Sequence, residues 1–129
     1  MPLVRIEMLK GKSREYKKAV LAGIHQALVN AFKIPEVDRL QRIYELDAED
    51  FELPPWKSKD FILIEMTVFK GRSPEAKKKL ITGIAENLEK SVGLKKEDIM
   101  IVIHEPEMEN WGIRGLPGTE LNFGFKIDV

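Results

Sequence analysis

The spacing of hydrophobic positions changes along the chain and then changes back. Over residues 3–9, Val4, Ile6 and Met8 alternate with Arg5 and Glu7, the period of a half-buried strand. Beyond Ser13 the period lengthens, and Val20, Ile24, Leu28 and Phe32 form a single helical stripe. Residues 39–45 return to a strand-like run. The cycle then begins again. Ile62, Ile64, Met66 and Val68 alternate with Glu65 and Thr67, Leu80, Ile84, Leu88 and Val92 make a second stripe, and residues 99–104 close it. Ser13 and Ser73 suit the N-cap position, Pro74 the first helical position, and Gly93 the end of the second helix.

The second cycle copies the first at an offset of sixty. Lys10, Gly11, Ser13, Glu15, Lys17, Lys18, Gly23, Ile24, Leu28, Asp38, Ile43 and Glu45 all recur sixty positions later, without a gap. Such self-similarity marks a duplicated structural unit. A strand-helix-strand unit of this length pairs its strands in parallel through a right-handed crossover. Two units predict an α+β fold: a four-stranded mixed sheet with two helices on one face. The run Ile99-Met100-Ile101-Val102-Ile103 is apolar on both sides, as in a strand buried on both faces. Two helices cover only one face, so another copy of the chain is expected on the other. Residues 1–129 read as one domain: repeat 1 over about 2–45, a crossover over 46–60, repeat 2 over about 61–105, and a hairpin and tail over 106–129. In that tail Leu121, Phe123, Phe125 and Ile127 alternate, which predicts an edge strand or an arm onto a neighbouring subunit.

Composition narrows the function. The 129 residues are 43% apolar, with 21 basic and 21 acidic side chains. The balance argues against nucleic-acid binding, which needs a net basic patch, and Lys77 to Lys79 read as a solvated helix face. Without cysteine there is no disulfide, thiolate metal site or cysteine nucleophile. His25 and His104 lack metal-ligand spacing; His25 reads as a surface or interface histidine, and His104 is assigned no role. No apolar run nears the ~20 residues of a membrane span, and the N-terminus lacks a signal-peptide pattern. The expectation is a cytoplasmic protein that uses no metal or cofactor and binds neither nucleic acid nor membrane.

Pro2 is the first chemical candidate. Removal of Met1 would leave a secondary amine in a rigid ring, and α-amino groups titrate near ~8, close enough to neutrality for general acid–base work. A Met-Pro start, a Gly71-Arg72-Ser73 turn before a helix, and the stretch Trp111-Gly112-Ile113-Arg114-Gly115 together resemble the 4-oxalocrotonate tautomerase family. The double length, Asp38-Arg39 opening the second strand, and Trp111 resemble its malonate semialdehyde decarboxylase branch. The resemblance implies the fold shared with macrophage migration inhibitory factor, a homotrimer, and a cofactor-free isomerase or lyase acting on a small oxo acid. It implies Pro2, Asp38 and Arg72 as catalytic residues, with Arg72, Lys70, Trp111 and Ile113 binding substrate. Asp38 reads equally well as a strand-entry residue, since Asp98 repeats it. Leu40 and Met100 stand where the short tautomerases carry a second substrate-binding arginine, and Lys70 with Arg72 stand where the decarboxylase branch has two arginines. The second repeat offers no free amine, so one complete site per chain is expected. The alternative is a non-catalytic trimeric binding or assembly protein that retains the fold.

Overall fold

The computed structural model describes residues 2–129. Each repeat contributes a strand, a helix and a strand: β1 (Leu3–Leu9), α1 (Arg14–Phe32) and β2 (Gln41–Leu46), then β3 (Ile62–Thr67), α2 (Pro74–Val92) and β4 (Ile99–His104). The caps are those expected. Ser13 Oγ accepts from Tyr16 N and Ser73 Oγ from Ala76 N, at 3.1 Å each, satisfying amides that the first helical turn leaves unpaired. Gly93 ends α2 in the left-handed conformation at φ 72°, while α1 ends on Lys33 at φ 58°.

The sheet order is β2-β1-β3-β4, with β1 parallel to β2, β3 parallel to β4, and β1 antiparallel to β3. In the central pair Arg5 lies opposite Glu65, its own counterpart sixty positions on, so the twofold relating the repeats passes between them. Both helices cover the same face. Val4, Ile6, Met8, Ile62, Ile64 and Met66 are buried beneath Val20, Ile24, Leu28, Leu80, Ile84 and Leu88. The helices pack closely where Gly23 meets α2: a Cβ there would lie 3.1 Å from Leu88 Cδ2, and Asn87 Nδ2 donates to Gly23 O at 2.9 Å.

The opposite sheet face is open in the single chain. On β4, Ile99, Ile101 and Ile103 turn toward the helices and are partly buried, whereas Met100 and Val102 are exposed. On β1 to β3 that face carries Arg5, Tyr44 and Glu65, with Arg5 stacked 4.6 Å from the Tyr44 ring centroid.

The C-terminal region departs from expectation. Gly112–Ile113 (β5) and Leu116–Pro117 (β6) form a small hairpin. Beyond it there is no edge strand. One short 3₁₀ turn over Gly118–Glu120 is followed by an irregular segment, which lies on the turn before α2. Ser73 N donates to Val129 O at 3.0 Å, and Ile127 approaches so closely that a Cβ on Gly71 would be 3.1 Å from its Cγ2. Phe125 and Val129 pack on the core and Phe123 on Phe69. Contact with the chain's own core, rather than backbone pairing, accounts for the alternating aromatics.

Candidate active site

Three separate parts of the sequence meet at one end of the sheet. Residue 2 precedes β1, whose Leu3 pairs with Thr67 at the end of β3; one step further in that register sets Pro2 opposite Val68. In the parallel pairing Val4 lies beside Gln41, and Val4 N donates to Leu40 O at 3.0 Å. Asp38 and Arg39 lie just before Leu40 on the turn that enters β2, where Arg39 N donates back to Val37 O at 2.9 Å. Pro2 is buried. Met1, whose removal the amine reading requires, lies outside the described residues.

A small cleft opens here, about 180 Å³ in volume, lined by Asp38, Phe69, Ile113, Arg114, Leu121, Asn122, Phe123 and Phe125. That is below the about 300–1,000 Å³ of pockets for drug-sized ligands, so it suits a molecule of a few carbons. Trp111 packs on one residue of that lining, Phe69. It is buried, and its ring lies 4.5 Å from that of Phe69. Asp38 and Ile113 thus line the cleft; Pro2, Arg72 and Trp111 do not.

Arg72 sits immediately behind Phe69. The turn at Gly71, φ 127°, swings the chain back so that Arg72 points into the protein, where it is only 5% exposed. Its Nη1 donates to Phe69 O at 3.2 Å, and its guanidinium stacks 4.7 Å from the Phe32 ring centroid. Among the described residues, Nε and Nη2 have no hydrogen-bond partner, and neither does the buried indole Nε1 of Trp111. Burial pushes the Arg72 guanidinium below its ordinary pKa, while Glu105 and Asp38 act in the other direction. Arginine remains charged under such conditions, so this is a buried cation with two nitrogens still able to donate to an anion.

Lys70 is not brought to the cleft. Its side chain is exposed and its ammonium pairs with Glu107, which raises its pKa. Arg114, which sequence reasoning gave no role, does line the cleft. It occupies the left-handed region at φ 53°, followed by Gly115 at φ 78°. Two such residues make the tight turn that matches strand twist in a two-residue hairpin, and a residue-Gly pair between Ile113 and Leu116 was the available signal. His25 is also corrected: it is 1% exposed, inside the core, and its Nε2 lies 2.8 Å from Glu36 O.

The equivalent end of the first repeat is built differently. Lys12, the counterpart of Arg72, is ion-paired with Asp60. Asp98, the counterpart of Asp38, is 6% exposed and accepts bonds from Ser58 N at 2.9 Å and Ser58 Oγ at 2.6 Å. Phe51, the counterpart of Trp111, packs edge-on against Phe61 at 5.9 Å. Charges at that end are met by the chain's own side chains.

A family model described as tautomerase enzyme matches residues 38–114, and a second with the same description matches residues 2–53. The first alone covers more than half of the chain. The chain belongs to the tautomerase family. The probable tautomerase YrdN of Bacillus subtilis (strain 168) is 30% identical over 116 residues, spanning 86% of this chain and 89% of YrdN. Among solved structures, FG41 malonate semialdehyde decarboxylase inhibited by 3-bromopropiolate superposes with a TM-score of 0.77 at 29% identity, covering 85% of this tautomerase-family chain and 87% of that one. A fused 4-OT symmetric trimer superposes with a TM-score of 0.79 at 21% identity, covering 91% and 96%, and supports the fold. Among the described residues, no helix is long and apolar enough to cross a membrane.

Proposed function

We propose that this chain is a cofactor-independent, cytoplasmic enzyme that acts on a small oxo acid, with the Pro2 amine as general acid or base. The observation that carries the reading is Arg72: a buried guanidinium with two uncommitted nitrogens, bonded to the carbonyl of Phe69, itself a residue of the small cleft that Asp38 also lines. Burying a charge without a partner is costly, and a substrate carboxylate would supply the partner through charge-assisted bonds. Ile113 lines the cleft, and Trp111 packs on its Phe69. Lys70, paired with Glu107 outside the cleft, has no part in this reading. The active form is a homotrimer, as in the fused 4-OT structures.

Malonate semialdehyde decarboxylase-like chemistry leads. Arg72 holds and orients the carboxylate, and protonated Pro2 donates to the β-carbonyl. As the bond to the carboxylate carbon breaks, its electron pair passes into an enolate, which Pro2 stabilises. Carbon dioxide leaves and a proton restores the carbonyl compound. The 29% identity to FG41 malonate semialdehyde decarboxylase over most of both chains supports this mode. Keto–enol tautomerisation is the second reading, supported by the probable tautomerase relatives. It needs neutral Pro2 to remove a carbon-bound proton.

The two modes require opposite charge states of one amine. Decarboxylation of malonate semialdehyde should slow as pH rises through the Pro2 pKa, whereas ketonisation of an enol 2-oxo acid should accelerate through it. Asp38→Asn should damage decarboxylation more than ketonisation. The chemical test is 3-bromopropiolate with the protein produced in its native host. The reading expects labelling at the N-terminal nitrogen of a chain beginning at Pro2, and loss of labelling in Arg72→Ala. Retention of Met1, or labels spread over lysines, would overturn it and favour a non-catalytic trimer.

A further inference from the structure

Asp38 reaches the cleft on the loop joining α1 to β2. Most of that loop is exposed, Val37 at 90%, yet its path is fixed at a few points. Lys33 turns the chain in the left-handed conformation, Ile34 is buried, and Asp38 N donates to Pro35 O at 3.0 Å. A further tie comes from inside the protein. His25, on α1 and 1% exposed, contacts Glu36 O through Nε2 at 2.8 Å. A carbonyl oxygen can only accept, so Nε2 carries the proton and donates. The Glu36 carboxylate lies 3.6 Å from the same nitrogen.

The second repeat fastens the same loop by other means. Ala85 stands where His25 stands in the first. There the strand-entry aspartate, Asp98, turns inward and takes both bonds from Ser58. In the first repeat the helix supplies the tie through a histidine, and the strand-entry aspartate lines the cleft. A leucine at position 25 would fill a core site without the cost of burying a polar ring. The hydrogen bond observed for that ring goes to the backbone two residues before Asp38. We propose that His25 is a positioning residue that fixes the α1–β2 loop so that Asp38 is presented to the substrate. This rests on the reading of Asp38 as a group acting beside Pro2.

The test compares His25→Leu, which removes the donor, with His25→Gln, whose amide nitrogen can reach a similar point. Small misplacements of a reacting group cost up to about a hundredfold in rate. In His25→Leu kcat should therefore fall about tenfold or more, with KM nearly unchanged because Arg72 is untouched. His25→Gln should recover most of that loss. Placed on Asp38→Asn, His25→Leu should cost little further, since both changes act through one carboxylate. Amide hydrogen exchange should quicken across residues 36–40 in His25→Leu while β1 and β3 keep their protection. Losses that multiply independently, a glutamine variant no better than leucine, or unchanged exchange in the loop would overturn the inference. Full activity in Asp38→Asn would instead remove the reading of Asp38 itself, a different result from a loop that ignores the loss of His25.

Discussion

At the residue scale, Arg72 sets stability against function. Its side chain is buried beside Phe32 and Phe69 with two nitrogens unspent, and uncompensated buried charge destabilises a fold. Replacing it with methionine keeps the stem's packing and removes the charge. Arg72→Met should therefore leave stability unchanged or raise it by ~1 kcal/mol, while turnover falls at least ~30-fold as a charge-assisted clamp worth ~2 kcal/mol is lost. Urea denaturation and kcat/KM on the same preparation check both halves. A variant that loses stability and activity together would mark Arg72 as structural. The sequence pointed to Arg72 through the repeat and the turn motif, but its burial was not legible there, because its guanidinium stacks on Phe32, forty residues away in the chain. His25 shows the same gap: its place on the helix was readable, and the loop carbonyl waiting for it was not.

At the element scale, strands and helices followed the hydrophobic period closely, since each repeat buries one stripe or one strand face and the two copies corroborate each other. The tail failed this logic. Its alternation arises from aromatics packing on Phe69 and the core, and period two alone does not distinguish that from backbone pairing. Two predictions belong here. The helix α1 ends on Lys33 at φ 58° where α2 uses Gly93, and the left-handed region costs a residue with a Cβ roughly 1–2 kcal/mol. After the greater unfolded-state entropy of glycine is deducted, Lys33→Gly should stabilise by roughly 0.5–1 kcal/mol, measurable as a shift in denaturant midpoint. The loop before β4 depends on Asp98. Burial alone would raise its pKa, but the bonds from Ser58 and nearby Lys57 and Lys95 hold it below the usual carboxylate range. A lowered folded pKa means the stabilisation is complete above the unfolded value of ~3.9 and is lost as pH falls through the folded one. Asp98→Ala should cost about 1–3 kcal/mol at pH 7 by leaving the Ser58 donors unpaired, and markedly less once the pH falls well below ~3.9. Denaturation curves at the two pH values check it.

At the scale of the whole molecule, the face opposite the helices is the unfinished surface. Met100 and Val102 are exposed there beside Arg5, Tyr44 and Glu65. If copies of the chain cover this face, Val102→Lys should shift the mass by light scattering toward a single chain and lower activity, because it buries a charge; an unchanged mass would show that the interface lies elsewhere. At the other end of the sheet Asp60 meets the charge of Lys12 and Ser58 that of Asp98. The central pairing has its own consequence. Arg5 faces Glu65 across the axis that relates the halves, the place where each half meets the other's copy of the same position. Cut within the crossover, two first halves would set Arg5 against Arg5, and two second halves Glu65 against Glu65. Like charges directly opposite weaken a strand pair. The separated halves should seek each other and shun themselves: what the duplication made identical, one pair of charges has made a couple.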